Sequence, residues 1–180
     1  MNKNLLKVIY SAVLAALTCV ATMVIRIPSF AAVGYVNIGD TIVLICGWLL
    51  GGIYGALAAG IGSGLADLLA GYGYYVPGTF IIKFLMALVA YLIYKKLASK
   101  QFVALITSGI IAEIIMIVGY FFYKALILGK GFAAAVPSVF SNLVQGITCL
   151  ILGIVLFYAL EKAKFNQFFR VSLEKGNNNA

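Results

Sequence analysis

Four ionisable side chains interrupt the apolar stretches of this chain: Asp40, Asp67, Lys83 and Glu113. Three of them fall within one segment, VNIGDTIVLICGWLLGGIYGALAAGIGSGLADLLAGYGYYVPGTFIIK, from Val36 to Lys83. Carboxylates and an ammonium set in so apolar a segment can pair with each other, hold a polar ligand, or, as two carboxylates, hold a metal. The chain has no His, which removes Ser/His and Cys/His nucleophile pairs and His-based metal sites. It has no Walker loop. Cys19, Cys46 and Cys149 share no metal-ligand spacing and read as buried free thiols. A lipid-modifying enzyme using Asp40 and Asp67 remains a rival, although the phosphate-binding companions of such a metal site are missing. A structural or regulatory membrane subunit without a ligand is a second rival.

The surroundings of these groups identify the solvent. The 180 residues are 64% hydrophobic and 10% charged. A soluble domain is typically about 45–50% apolar and about 25% charged, so this chain lacks the polar residues to coat a core in water. A bilayer suits it, and a spanning helix takes about 20 residues. The pattern predicts an all-α integral membrane protein of six helices, over about 5–27, 39–50, 54–70, 77–97, 102–128 and 137–162. Helices 2 and 3 are short for a full crossing and are expected to tilt or stop short of one surface. Residues 1–27 read as the first span rather than a cleaved signal, because no A-x-A site follows and Arg26 sits at the far end. The whole chain, 1–180, forms one membrane domain, with 163–180 as a cytoplasmic tail.

Lys and Arg set the orientation. An inside N-terminus places Lys3, Lys7, Lys95, Lys96, Lys100, Lys162, Lys164, Arg170 and Lys175 in the cytoplasm, against Arg26, Lys83, Lys124 and Lys130 in the outer half. Both termini are then cytoplasmic. The net charge of +8 is mostly this inner rim beside anionic lipid heads and requires no nucleic acid.

In this arrangement Asp40, Asp67 and Lys83 gather in the outer half, where charges usually face a bundle interior or cavity. Asp67 and Lys83 read as an ion pair pinning helix 3 to helix 4, as ligand contacts, or as both. Asp40 reads as a helix cap, the simpler role, or as a ligand contact. The loop GYGYYVPG between helices 3 and 4 carries Tyr72, Tyr74 and Tyr75 alternating with glycines. An interfacial aromatic belt explains the tyrosines alone; a lid stacking on a planar ligand explains the glycines too. On helix 5, Glu113, Met116, Tyr120 and Tyr123 share one face. Glu113 sits at mid-membrane, either protonated and bonded to a neighbouring helix or lining the cavity. Asn142 and Gln145 are three apart on helix 6, as interhelical glue or as part of the same wall. In helix 1, Ala12 and Ala16 belong to a small-xxx-small pattern, for which packing inside the bundle is the simplest reading.

The blocks YSAVLAALTCVATMVIRIP, VNIGD, ADLLAGY, PGTFIIK, AEIIMIVGYFFYKA and SNLVQG resemble the substrate-binding S components of energy-coupling factor (ECF) vitamin transporters. The resemblance covers essentially the whole chain and points to the riboflavin-type sequence family, which includes members linked to pyridoxine and hydroxymethylpyrimidine. It implies six helices in the bacterial cytoplasmic membrane, a vitamin pocket on the extracellular side, no catalysis, no cofactor and no bound metal. It also implies docking through Ala12 and Ala16 onto a transmembrane coupling subunit that carries two ATP-binding cassette ATPases. The substrate-contact candidates are Asn37, Asp40, Asp67, Tyr72, Tyr74, Tyr75, Thr79, Lys83, Glu113, Tyr120, Asn142 and Gln145. That mix suits a small neutral or zwitterionic ring, pyridoxine or another B6 vitamer, with riboflavin and hydroxymethylpyrimidine as the alternatives.

Overall fold

The computed structural model describes residues 3–28 and 35–164. The chain folds into six helices: α1 (Lys3–Val24), α2 (Gly39–Ile45, continued by a π-helical turn Cys46–Leu50), α3 (Gly52–Leu69), α4 (Val76–Lys96), α5 (Gln101–Phe122, continued by a π-helical turn Tyr123–Ile127) and α6 (Phe132–Lys162). Two short strands, β1 (Arg26–Pro28) and β2 (Tyr35–Asn37), pair antiparallel between α1 and α2. Of the expected tail, 165–180 lies outside the described residues.

Five of the helices are long and apolar enough to cross a membrane, and Gly39–Leu50 is the shorter sixth. The expected six-helix membrane bundle is the observed one. At 18 residues, α3 reaches about 27 Å at 1.5 Å per residue, nearly the ~30 Å hydrocarbon thickness. Segment 39–50, by contrast, extends about 18 Å, and from Val43 to Leu50 every residue is buried. It is short because it is the centre of the bundle and meets little lipid.

The hairpin corrects the first boundary. Helix α1 stops at Val24 rather than near Ile27, because Arg26–Pro28 is drawn into β pairing with Arg26 opposite Asn37. That pairing brings Asn37 to the start of α2. Helix α6 begins at Phe132 rather than at Pro137, with the proline inside its second turn. The missing N–H there breaks one ladder bond close to the helix start. Phe132 anchors the extra turn by packing on Phe121 and Phe122, with ring centroids 5.9 and 6.4 Å away.

The hairpin, the 70–75 turn and the 128–131 turn lie at one end of the bundle, the hairpin end. The chain break at Gly51-Gly52 and the turn near Ala98 lie at the other. Both break glycines have positive φ, 64° and 55°, a region that suits residues without a Cβ. Trp48 fills the core toward this second end. It is 1% exposed, meets Phe157 edge-on at 6.0 Å, and donates its indole N–H to Ser108 Oγ at 2.9 Å. Gly109 of α5 and Gly153 of α6 face its ring, so the absence of two side chains makes room for the largest one.

Helix α1 is the least enclosed element. Only 17% of its span is buried, against 56% for α3. Its inner face is Leu14, Thr18 and Thr22, with Ala15 and Thr18 against Gly62 of α3. Ala12 and Ala16 lie on the opposite, exposed side beside Val13, Leu17 and Val20. The reading of Ala12 and Ala16 as inward packing residues is therefore corrected: the residues that pack inward are Ala15 and Thr18.

Candidate functional site

Toward the hairpin end, a polar centre replaces the apolar core. Asp40 opens α2 and is 1% exposed. Its Oδ1 forms an ion pair with Lys83 Nζ of α4, which is itself buried. Its Oδ2 accepts from Gln145 Nε2 of α6 at 2.7 Å. No side-chain cap bond forms at the start of α2, so the cap reading of Asp40 is corrected. Removing two ions from water is costly, and such a pair persists where further hydrogen bonds satisfy it. Gln145 supplies one.

Asn37 organises the approach to Asp40. Its Oδ1 accepts from the Gly39 N–H at 2.8 Å, and its own backbone N–H donates to Gln145 Oε1 at 2.9 Å. Gln145 is thus oriented by β2 and donates to α2. Gly39 leaves no space for a Cβ, because Thr22 of α1 lies against it. Cys149, one turn beyond Gln145, donates to the Asn37 carbonyl at 3.4 Å. Sequence reasoning treated Cys149 only as a buried thiol. Its spacing of four from Gln145 was the available signal.

A second network stands beside the first. Thr79 of α4 donates to Asp67 Oδ2 of α3 at 2.5 Å, and Tyr120 of α5 donates to Thr79 Oγ1 at 3.0 Å. The Lys83 ammonium lies over the Tyr120 ring, 5.2 Å from its centroid, a cation–π contact that joins the two networks. The expected Asp67–Lys83 pair is therefore corrected: Lys83 pairs with Asp40, while α3 and α4 are linked through Asp67 and Thr79. Lys83 lies four residues beyond Thr79, so both face inward from α4, but Thr79 lies nearer the hairpin end, level with Asp67. The two carboxylates of the enzyme alternative also have separate partners.

Glu113 differs from the others. It is 5% exposed, and neither carboxylate oxygen has a hydrogen-bond partner among the described residues. Gly146 of α6 packs against its side chain. The charges of Asp40 and Lys83 both act on it. Met116 and Tyr120 continue the same inward face of α5, as the spacing predicted. Asn142 lies one turn before Gln145, half-buried, outside these hydrogen-bond networks.

The tyrosine loop closes over this region. Gly73–Tyr75 forms a short 3₁₀ turn, entered through Gly71 at φ 82°. Tyr72, Tyr74 and Tyr75 pack on one another with centroids 5.0–6.4 Å apart. Tyr75 meets Tyr120 at 6.4 Å and Tyr123 at 6.0 Å. Tyr123 donates to the Tyr74 carbonyl at 2.8 Å, and its ring lies against Gly78 with no space for a Cβ. Beside this turn is a cavity of about 780 Å³ lined by Tyr74, Tyr75, Lys124, Lys130 and Pro137, among others. Aromatic walls with a few fixed polar groups suit capture of a flat, polar small molecule.

Comparisons with known proteins bear on the family and the fold. Residues 2–162 match the family described as ECF-type riboflavin transporter, S component. A relative from Pyrococcus woesei, described as "Uncharacterized protein in gap 3'region", is 31% identical over 143 residues, which is 79% of this chain and 93% of that protein. A solved structure, "Structure and mechanism of the S component of a bacterial ECF transporter", is similar with a TM-score of 0.68 at 20% identity, covering 89% of this chain and 98% of that one. At that identity the likeness concerns the fold. Since the family match runs from the start of α1 to the end of α6, the chain belongs to the ECF-type riboflavin transporter S component family.

Proposed function

We propose that this chain is the vitamin-capturing subunit of an ECF importer and that its ligand is pyridoxine or another B6 vitamer. The observation that carries the reading is Glu113, a buried carboxylate with no hydrogen-bond partner among the described residues, beside the Asp40–Lys83 pair. A buried acceptor left unmatched costs about 1–3 kcal/mol, and a small ring bearing hydroxyl groups and a protonatable nitrogen can supply the missing donor. Asp67, Thr79, Tyr120, Gln145, Asn37 and Asn142 complete the polar wall on this reading. Tyr72, Tyr74 and Tyr75 are the lid. Riboflavin is the second reading, favoured by the description of the family whose model matches residues 2–162.

The hairpin end faces outward on this reading, and the lysine-rich end with both termini faces the cytoplasm. The site is then open to vitamin outside a bacterial cytoplasmic membrane. Work comes from a transmembrane coupling subunit with two ATP-binding cassette ATPases, docked on the exposed Ala12 and Ala16 side of α1. Ala12→Trp and Ala16→Trp should retain vitamin affinity and lose co-purification with the complex. Retained co-purification would assign docking to another face.

Native mass spectrometry of the purified protein tests the ligand directly. A retained compound with the mass of a B6 vitamer supports the proposal, and one with the mass of riboflavin selects the second reading. In liposomes the chain alone should bind vitamin without accumulating it; accumulation driven by ATP without other proteins would refute the subunit role.

A further inference from the structure

The cavity beside the tyrosine turn carries two lysines on one wall. Lys124 lies in the π-helical turn that ends α5, and Lys130 in the turn before α6. The Lys130 N–H donates to the Lys124 carbonyl at 3.3 Å, so the backbone itself holds the two residues together. Their charges repel. Lys124 is 5% exposed, yet it lines the cavity. Neither ammonium has an acidic partner among the described residues.

The count of acids explains why. The chain has five Asp and Glu in all. Asp40 is held by Lys83 and Gln145, and Asp67 accepts from Thr79. Glu161 bonds Gln101 at the far end of the bundle, and Glu113 sits at the polar centre. Glu174 lies outside the described residues. A lysine serving only the membrane surface extends its ammonium outward along the helix. Lys124 is instead enclosed and directed at a cavity. The start of α6 borders the same space through Ala134 and Pro137, and a helix N-terminus adds partial positive charge.

We infer that this cavity is an anion subsite, in which Lys124 and Lys130 take one phosphate-class group. The group belongs either to a soluble molecule, including a phosphorylated form of the captured ligand, or to a lipid headgroup. The site is separate from Glu113 and the Asp40–Lys83 pair, so it adds an anionic-group preference to the proposed function without depending on the vitamin. Tyr74 and Tyr75 line both this cavity and the roof of the polar centre, so the two sites share a wall.

The test uses inorganic phosphate as probe, on the full chain in a lipid-free non-ionic detergent, titrated at constant ionic strength and followed by phosphorus NMR. Saturable binding is expected, weakened about tenfold by Lys130→Gln or Lys124→Gln, the loss of one charge-assisted contact. Lys130→Arg should retain it. Lys130 is exposed, so its variants remain informative even if Lys124→Gln unfolds. Equal phosphate binding by wild type and Lys130→Gln, or no saturable binding by wild type, overturns the proposal. Repeating the titration in phosphatidylcholine nanodiscs with and without phosphatidylglycerol separates the sources. Competition by phosphatidylglycerol assigns the anion to lipid, and unchanged binding assigns it to a soluble molecule. Failure of the phosphate titration while pyridoxine still binds removes this subsite alone. Phosphate binding without vitamin binding removes the vitamin reading and leaves the subsite standing.

Discussion

The two ends of segment 39–50 are built on opposite principles. At Asp40 the helix meets Lys83, Gln145 and the Asn37 turn. Eight residues later, at Trp48, it meets Phe157, Ser108 and two glycines. Both residues are about equally hidden, at 1% exposure each. Burial therefore does not distinguish them; satisfaction does. Around Trp48 the one polar atom of the ring is paired, and shape complementarity does the rest. Around Asp40 a carboxylate nearby, Glu113, has no hydrogen-bond partner among the described residues. A helix that is all core at one end and polar at the other places the proposed ligand site at the polar end.

The strongest way to break the contrast is to unbalance the ion pair. Asp40→Asn or Lys83→Met alone strands a buried charge and should destabilise by about 3–5 kcal/mol. Thermal melting in detergent reads this, and the double variant Asp40→Asn/Lys83→Met should recover most of the loss. Equal melting of the single and double variants would mean that the pair is not coupled.

Next comes Glu113→Gln. It replaces the buried carboxyl with an amide of the same shape, so melting should change little or rise. Vitamin affinity should fall about ten- to hundredfold, equivalent to about 1.4–2.8 kcal/mol, measured by calorimetry. A lowered melting point with unchanged affinity would make Glu113 a structural group. Asp67→Asn sharpens the comparison, because its Thr79 bond predicts a loss in both measurements.

Tyr120→Phe should have a smaller effect. It deletes one interhelical hydrogen bond to Thr79 while keeping the ring under Lys83, and bonds of that kind contribute about 0.6–2 kcal/mol. The smallest effect on affinity is expected for Trp48→Phe, which gives up the Ser108 bond and some ring volume at the apolar end. Its melting point should fall, and vitamin affinity should match wild type. An affinity loss as large as that of Glu113→Gln would show that the two ends act as one site.

Much of this contrast is legible along the chain, because it depends on composition and periodicity. The six apolar stretches, the glycine break at 51–52 and the inward face of α5 through Glu113, Met116 and Tyr120 follow from which residues recur at which spacing. A bilayer imposes that reading: every backbone polar group must be bonded within its segment, so a long apolar run in lipid is a helix.

Tertiary structure alone decided the partners. In one dimension Asp67 is the expected mate for Lys83 and Asp40 a helix cap, whereas in the bundle Lys83 pairs with Asp40. The choice depends on how α2, α3 and α4 rotate against one another, and close packing at Gly47, Gly55 and Gly60 fixes that rotation. The same holds for Asn37 and Gln145, 108 residues apart and joined by hydrogen bonds, with Asn37 brought there by a short hairpin that has no strong sequence signal. It holds again for α1, where Ala12, Ala15 and Ala16 are the same residue type and only the position of α3 leaves Ala15 inside and the other two exposed. Local pattern specifies which residues share a helix face. Which neighbour that face meets is a property of the whole bundle, since each interhelical contact is weak alone and the azimuth follows from their sum.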